Sequence, residues 1–274
     1  MGKGVRSIVI SGYGTNCEVE MAYACKLAGA DVEIVHISEL IYGEKRLDDY
    51  HFLNFPGGFL DGDDLGAAKA AANRWRYARV KNTGEPLFEQ LLRFINDGKP
   101  ILGVCNGFQL MVKLGLLPAL NGNYNEQVAT LTYNDSGRFE DRWVYLKVDK
   151  ESPCIFTKGL DTIYLPVRHA EGKFIPKDEP TLNLIEERHL AVLKYIHNET
   201  KEPTMEYPFN PNGSTAAIAG ICDPTGRLFG LMPHPEVYLF FTHHPRWTRE
   251  DLPAEGLGLA IFYNAIEYIK ENLL

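Results

Sequence analysis

Short runs of consecutive apolar residues alternate with stretches of helical spacing along the first half of the chain. RSIVISG is followed by EVEMAYACKLAGA, DVEIVHI, HFLNFPGG, PLFEQLLRFINDGKP, ILGVC and NGFQLMVKLGLL. This β-α order, with strands rich in Ile, Val, Leu and Phe and little alternation, predicts an α/β fold whose parallel sheet is covered by helices on both faces. Gly29 and Gly98 fall where helices should stop. From residue 121 to 174 the runs VATLTY, RWVYLKV and TIYLPVRH predict an antiparallel or mixed extension of the same sheet. Near the end, IAGIC and RLFGLM read as two strands joined at the tight turn Asp223-Pro224-Thr225-Gly226. LGLAIFYNAIEYIKENLL then closes the chain as an amphipathic helix. Residues 60–85 and 237–253 fit neither pattern and are expected to be insertions or long loops near the strand ends. No linker divides the chain, so one domain over 1–274 is expected.

Composition narrows the function classes. Apolar residues are 45% of the 274 and charged residues 23%, which is ordinary globular usage. The formal net charge of -8 and the lack of a Lys/Arg run argue against a nucleic-acid partner. No apolar stretch approaches the roughly 18 residues of a membrane span, and no signal core precedes a cleavage site, so a cytoplasmic protein without membrane partners is expected. Five scattered cysteines without a C-x-x-C pair suggest neither a disulfide framework nor a zinc site.

The segment ILGVCNGFQLM carries the chemistry. A buried-strand pattern runs into Cys105, and a helix begins with Asn106-Gly107. Such an elbow holds its central side chain exposed on a sharp turn, and small neighbours, here Gly103 and Gly107, let the backbone turn without collision. At a helix N-terminus a thiol is shifted from about 8.5 towards neutrality, which raises the reactive thiolate fraction. Taken alone, GVCNGFQ also fits a tight turn with a buried cysteine. A thiolate attacking an amide needs a base nearby, and His234 in MPHPE, after the apolar strand LFGLM, is the best candidate. Glu236, two residues on in an extended chain, would project to the same side and hold one tautomer. Oxyanion donors are available from the Asn106 backbone N–H and from Gly57 and Gly58 of FPGG, at the end of another strand.

FPGG, GVCNGFQ and MPHPE, in this order and at these separations, resemble the class I glutamine amidotransferases. The resemblance implies a three-layer sandwich with a mostly parallel central sheet. It also implies Cys105 as the nucleophile that forms a γ-glutamyl thioester, His234 as acid-base and Glu236 as its orienting residue. Gly58 and Asn106 would form the oxyanion hole, and Gly57, Gln109, Phe108 and His169 would contact glutamine. GTNCEVE, FPGGFLDGDDLGAA, RHAEGKF and PNGS are further similar to the glutaminase subunits of phosphoribosylformylglycinamidine synthases, over nearly the whole chain. That similarity implies ammonia delivery to a synthetase subunit in purine biosynthesis, with a small bridging subunit as a further partner. ATP and Mg would belong to the synthetase subunit, and no cofactor or metal to this one. Two departures stand out: Val237 where Arg often follows H-P-E, and Ala170 where Gly commonly follows the His of RHAEG.

Other readings stay open at this point. The same chemistry could serve another acceptor or a γ-glutamyl hydrolase, and the fold could persist in a silent glutamine-binding subunit. SGYGTNCE lacks a phosphate-loop pattern and reads as a backbone turn, while Asp61, Asp63 and Asp64 read as a solvated acidic loop.

Overall fold

The computed structural model describes residues 4–274. Its first half contains β1 (Arg6–Ser11), α1 (Glu18–Leu27), β2 (Asp31–His36), α2 (Ile37–Tyr42), β3 (Phe52–Phe55), α3 (Lys69–Tyr77), α4 (Leu87–Asn96), β4 (Ile101–Val104) and α5 (Asn106–Leu114). The second half contains β5 (Ala129–Tyr133), β6 (Glu140–Val148), β7 (Thr162–His169), β8 (Glu171–Pro176), α6 (Glu179–Glu187), β9 (Leu193–Tyr195), β10 (Ile218–Cys222), β11 (Leu228–Leu231) and α7 (Leu259–Asn272).

Nine strands form one sheet in the order β2-β1-β3-β4-β11-β10-β9-β6-β7. The pairings from β2 through β11 are parallel. Every later step, from β11 to β7, is antiparallel. Only β10 and β6 therefore run against the rest, which agrees with the expected mostly parallel sheet. β3, β4 and β11 are buried at every position, as apolar runs must be when helices cover both faces. β6 instead buries Val144, Leu146 and Val148 and half-exposes Trp143, Tyr145 and Lys147 between them, the alternation of a strand covered on one side.

The helices follow from their apolar spacing. α4 buries Leu87, Phe88, Leu91, Phe94 and Ile95 on one stripe. α7 does the same with Leu259, Phe262, Ile266 and Ile269. α6 starts where the Asp178 carboxylate accepts the Thr181 N–H at 2.9 Å, the capping bond that a helix start needs.

Two expectations require correction. VATLTY does not join the large sheet, because β5 pairs only with β8 in a separate two-stranded ribbon. Residues 60–85 are not only loop: they contain α3, whose Ala71, Ala72 and Trp75 are buried. The Trp75 ring meets Phe55 edge-on at 5.2 Å, and truncating so buried an aromatic typically costs about 3–5 kcal/mol. The buried face of α3 is mostly alanine set among Lys69, Asn73, Arg74 and Arg76, so the segment is polar overall and does not read as a core helix. Residues 237–253 do form irregular chain with 3-10 turns, yet Tyr238, Leu239 and His244 are buried.

Adjacent parallel strands bring four turns to one edge. Residues 12–17 follow β1, Pro56-Gly57-Gly58 follow β3, Cys105 follows β4, and residues 232–236 follow β11. Ligand crevices of open α/β sheets lie at this carboxyl edge. The antiparallel arm curls back to it: the His234 N–H donates to the Pro166 carbonyl of β7 at 2.8 Å, although β7 is four strands beyond β11.

Candidate active site

Cys105 sits between the last residue of β4 and the first of α5 with φ 51° and ψ −105°. A positive φ strains a residue with a Cβ, and such strain gathers at functional sites. Neighbouring backbone holds it: the Cys105 N–H donates to the Leu231 carbonyl at 2.8 Å, and its own carbonyl accepts the Gln109 N–H at 3.0 Å. At Gly103 a Cβ would lie 2.8 Å from the Gly107 carbonyl carbon, so strand and helix need that glycine to pack. The expected exposed side chain is instead 6% exposed. It borders a cavity of about 420 Å³ rather than the open surface.

His234 and Glu236 meet as the sequence suggested, by a different route. Pro235–Val237 is a 3-10 turn rather than extended chain, and it sets Glu236 Oε1 2.6 Å from His234 Nδ1. Both side chains are buried. Burial alone would push the imidazole pKa down. The Glu236 carboxylate overrides it, helped by the Cys105 and Cys17 side chains, and holds the ring well above its usual value. Nδ1 faces Glu236, and Nε2 is buried without a hydrogen-bond partner among the described residues. The Cys105 thiol lies 3.7 Å from the Arg168 carbonyl oxygen, and it shares the cavity with the ring, close enough to help hold the imidazole's pKa up. Gly57 marks the closeness: a Cβ there would lie 2.7 Å from His234 Cε1 and 3.5 Å from Cys105 Cβ.

Gly58 has φ +132°, and a Cβ on it would lie 2.6 Å from both the Asn16 nitrogen and the Gly14 carbonyl. Only glycine fits, which leaves the turn free to border the cavity. Asn106 opens α5, so its N–H has no partner within the helix. Its side chain accepts the Leu60 N–H at 3.1 Å and donates to Gln109 Oε1 at 3.1 Å.

The residues expected to hold glutamine divide. Gln109 lines the cavity, with its amide nitrogen donating to the Glu171 carbonyl. His169 lines it too, but its nitrogens face Asn134 Oδ1 at 3.2 Å and Asn212 Nδ2 at 3.5 Å. Burial, reinforced by the nearby His234, drops its pKa to about 3 and keeps it neutral. Gly57 acts as a spacer. Phe108 does not reach the cavity: α5 turns it into the core, fully buried and stacked on Phe174 at 6.4 Å.

Several cavity residues were missed. Cys17, from the turn after β1, lies 4.0 Å from His234 Nδ1, and burial raises its pKa. Its signal was GTNCE, set aside as a turn. Arg168 and Tyr133 line the cavity from β7 and β5, and nothing local in the sequence marks them. The acidic loop is not solvated as expected: Asp61 pairs with Arg74 at 2.9 Å with its carboxylate nearly enclosed. Asp63 lines the cavity, and only Asp64 of the three is exposed. Among the described residues, metal-type donors converge within 4.8 Å at Cys17, His234 and Glu236 and at Asp149, Glu151 and His189.

A strained cysteine at a strand-helix elbow beside a buried His-Glu pair agrees with the chain's relatives. Residues 4–269 match the family model of the CobB/CobQ-like glutamine amidotransferase domain. The chain belongs to this glutamine amidotransferase family. It is 44% identical over 274 residues to the phosphoribosylformylglycinamidine synthase subunit PurQ of Methanococcus maripaludis, covering 96% of this chain and 97% of that one. The PurQ of Dehalococcoides mccartyi is 44% identical over 267 residues, covering 97% and 98%. A solved structure of PurLQS from Thermotoga maritima aligns with TM-score 0.70 and 26% identity, over 97% of this chain and the whole of that one. No helix among the described residues of this amidotransferase is long and apolar enough to cross a membrane.

Proposed function

We propose that this amidotransferase is the glutaminase subunit of phosphoribosylformylglycinamidine synthase, hydrolysing glutamine and passing ammonia to a synthetase subunit in purine biosynthesis. The observation that carries the chemistry is the positive-φ Cys105 sharing one cavity with the His234–Glu236 pair. Sequence identity of 44% to PurQ proteins over nearly the whole chain supports the acceptor.

His234 takes the Cys105 proton, and the thiolate sulfur attacks the glutamine side-chain carbonyl carbon. The carbonyl π electrons move onto oxygen, which the N–H groups of Gly58 and Asn106 stabilise; each such donor is worth about 3 kcal/mol. His234 returns the proton to nitrogen as the C–N bond breaks, releasing ammonia and leaving a γ-glutamyl thioester. Water, deprotonated by the same imidazole, then releases glutamate and restores the thiol. Glu236 keeps Nδ1 engaged so that Nε2 faces the reacting atoms.

These steps need no metal or cofactor in this chain, and ATP and Mg belong to the partner, with a small bridging subunit as a further component. Five free cysteines favour a reducing cytoplasm. The test is glutamine-dependent amidine formation by the chain combined with its synthetase. Activity that Cys105→Ala abolishes, while added ammonia still supports synthesis, is the expected result. If ammonia supports synthesis and glutamine never does, the reading fails.

A further inference from the structure

The cavity contains a charge pattern that the triad does not use. Arg168 is the one Arg or Lys among its lining residues, against Glu20, Asp63 and Glu171. The Arg168 guanidinium has Cys17 Sγ as its contact at 3.7 Å, and among the described residues no carboxylate lies within ion-pair distance of it. Arginine is usually neutralised where it is half enclosed, because a fixed cation without a counter-ion loses hydration for nothing. Its own backbone carbonyl lies 3.7 Å from the Cys105 thiol, so this residue borders the proposed nucleophile. Opposite in sign, Asp63 has a buried Oδ1 with no hydrogen-bond partner. Burial, and then the neighbouring Glu171, push its carboxyl pKa up, and the Ala68 backbone hydrogen bond and the Lys113 charge do not offset them, so the carboxylate remains under-compensated and makes no ion pair among the described residues. Glu171 is already engaged, since its Oε2 accepts the Ala67 N–H at 3.1 Å.

An unpaired cation and an unpaired anion in one cavity match a zwitterion. We propose that Arg168 binds the α-carboxylate of glutamine and Asp63 its α-ammonium, so that the two residues recognise the amino-acid head while the side-chain amide lies at Cys105. This rests on the glutaminase reading above. A guanidinium suits a carboxylate because two parallel N–H groups match its two oxygens. Asp63 comes from the loop after β3 and Arg168 from the end of β7, so the head group would tie the parallel core to the antiparallel arm.

Two analogues, each lacking one charge, test this in the complex with the synthetase. They are glutamine α-amide, without the carboxylate, and glutaramic acid, without the α-ammonium. Arg168→Met is expected to raise KM for glutamine about 30- to 100-fold, and to change kcat/KM for the α-amide less than about threefold. Arg168→Lys should recover part of the loss. Asp63→Asn is expected to raise KM for glutamine at least about tenfold and to leave glutaramic acid little affected. Ammonia-supported synthesis reports whether each variant complex is intact. Equal losses on glutamine and on the matching analogue, or an unchanged KM for glutamine, would overturn the assignment. If the unmodified complex releases no ammonia from glutamine at all, it is the glutaminase reading that falls.

Discussion

Two buried histidines border the same cavity, one on the turn after β11 and one at the end of β7, and they are driven in opposite directions. His234 faces a buried carboxylate at 2.6 Å and is held protonated far more readily than a free imidazole. His169 faces only the neutral amides of Asn134 and Asn212, and burial leaves it with a pKa of about 3. Desolvation penalises the charged form in both, so the partner decides the outcome. A proton-transfer group requires a partner that changes its affinity for protons; a fixed strut requires only hydrogen bonds. Spacing alone does not separate the two, since Glu171 and Glu236 each stand two residues after a histidine; the 3-10 turn brings Glu236 to His234, whereas Glu171 Oε2 is turned to the Ala67 N–H.

The largest expected effect comes from exchanging the two residues' fates. His234→Ala should lower glutamine hydrolysis by about 10³–10⁴-fold, whereas His169→Asn should keep kcat within about tenfold. Initial rates of glutamate release measure both, and equal losses would erase the distinction.

Glu236→Gln should sharpen it. Without the carboxylate, His234 is left to its burial and its pKa falls, so kcat should drop about 100-fold or more. Stability should respond with a definite sign. The folded pKa of His234 lies above its unfolded value of about 6.5, so the pair's stabilisation is fully present below about pH 6.5 and lost as pH rises through the folded pKa. The glutamine variant should therefore be most destabilised, relative to the parent, on the acid side. Urea titrations across pH would show this, and a penalty that grows with pH would contradict it.

The smallest effect concerns His169. Its folded pKa of about 3 lies below the unfolded value, so the unfolded chain binds more protons between about pH 6.5 and 3. Stability should fall as pH drops through that window, and His169→Asn should flatten the fall. Asn212→Ala should cost about 1–3 kcal/mol by leaving buried groups unpaired. Thermal unfolding at pH 5 and pH 7 checks both, and an unchanged acid slope in His169→Asn would refute the assignment.

Much of the site is legible in the sequence. The runs HFLNF, ILGV and LFGL have no polar face, so they had to be central strands, and adjacent parallel strands end on one edge. Cys105 follows such a run directly, and Gly58 and His234 each come three residues after one, which brings them together once the strands pair. Glu236 was also legible, although a 3-10 turn supplied the contact that an extended chain was expected to make. Phe108 misled because a motif names residues without saying which face of the helix each occupies; one step of about 100° around α5 separates the core from the cavity.

What the sequence alone determined is local: the strand-elbow-helix at Cys105, the H-P-E pair and the glycines of FPGG, because each depends on neighbours a few residues away. Only the tertiary structure decided that β7 curls back to bring Arg168 and His169 to the same cavity, and that the ribbon of β5 and β8 stands apart from the large sheet. Sheet register and curl arise from hydrogen bonds between distant segments, such as the one from His234 to Pro166. No periodicity within a single segment records those bonds.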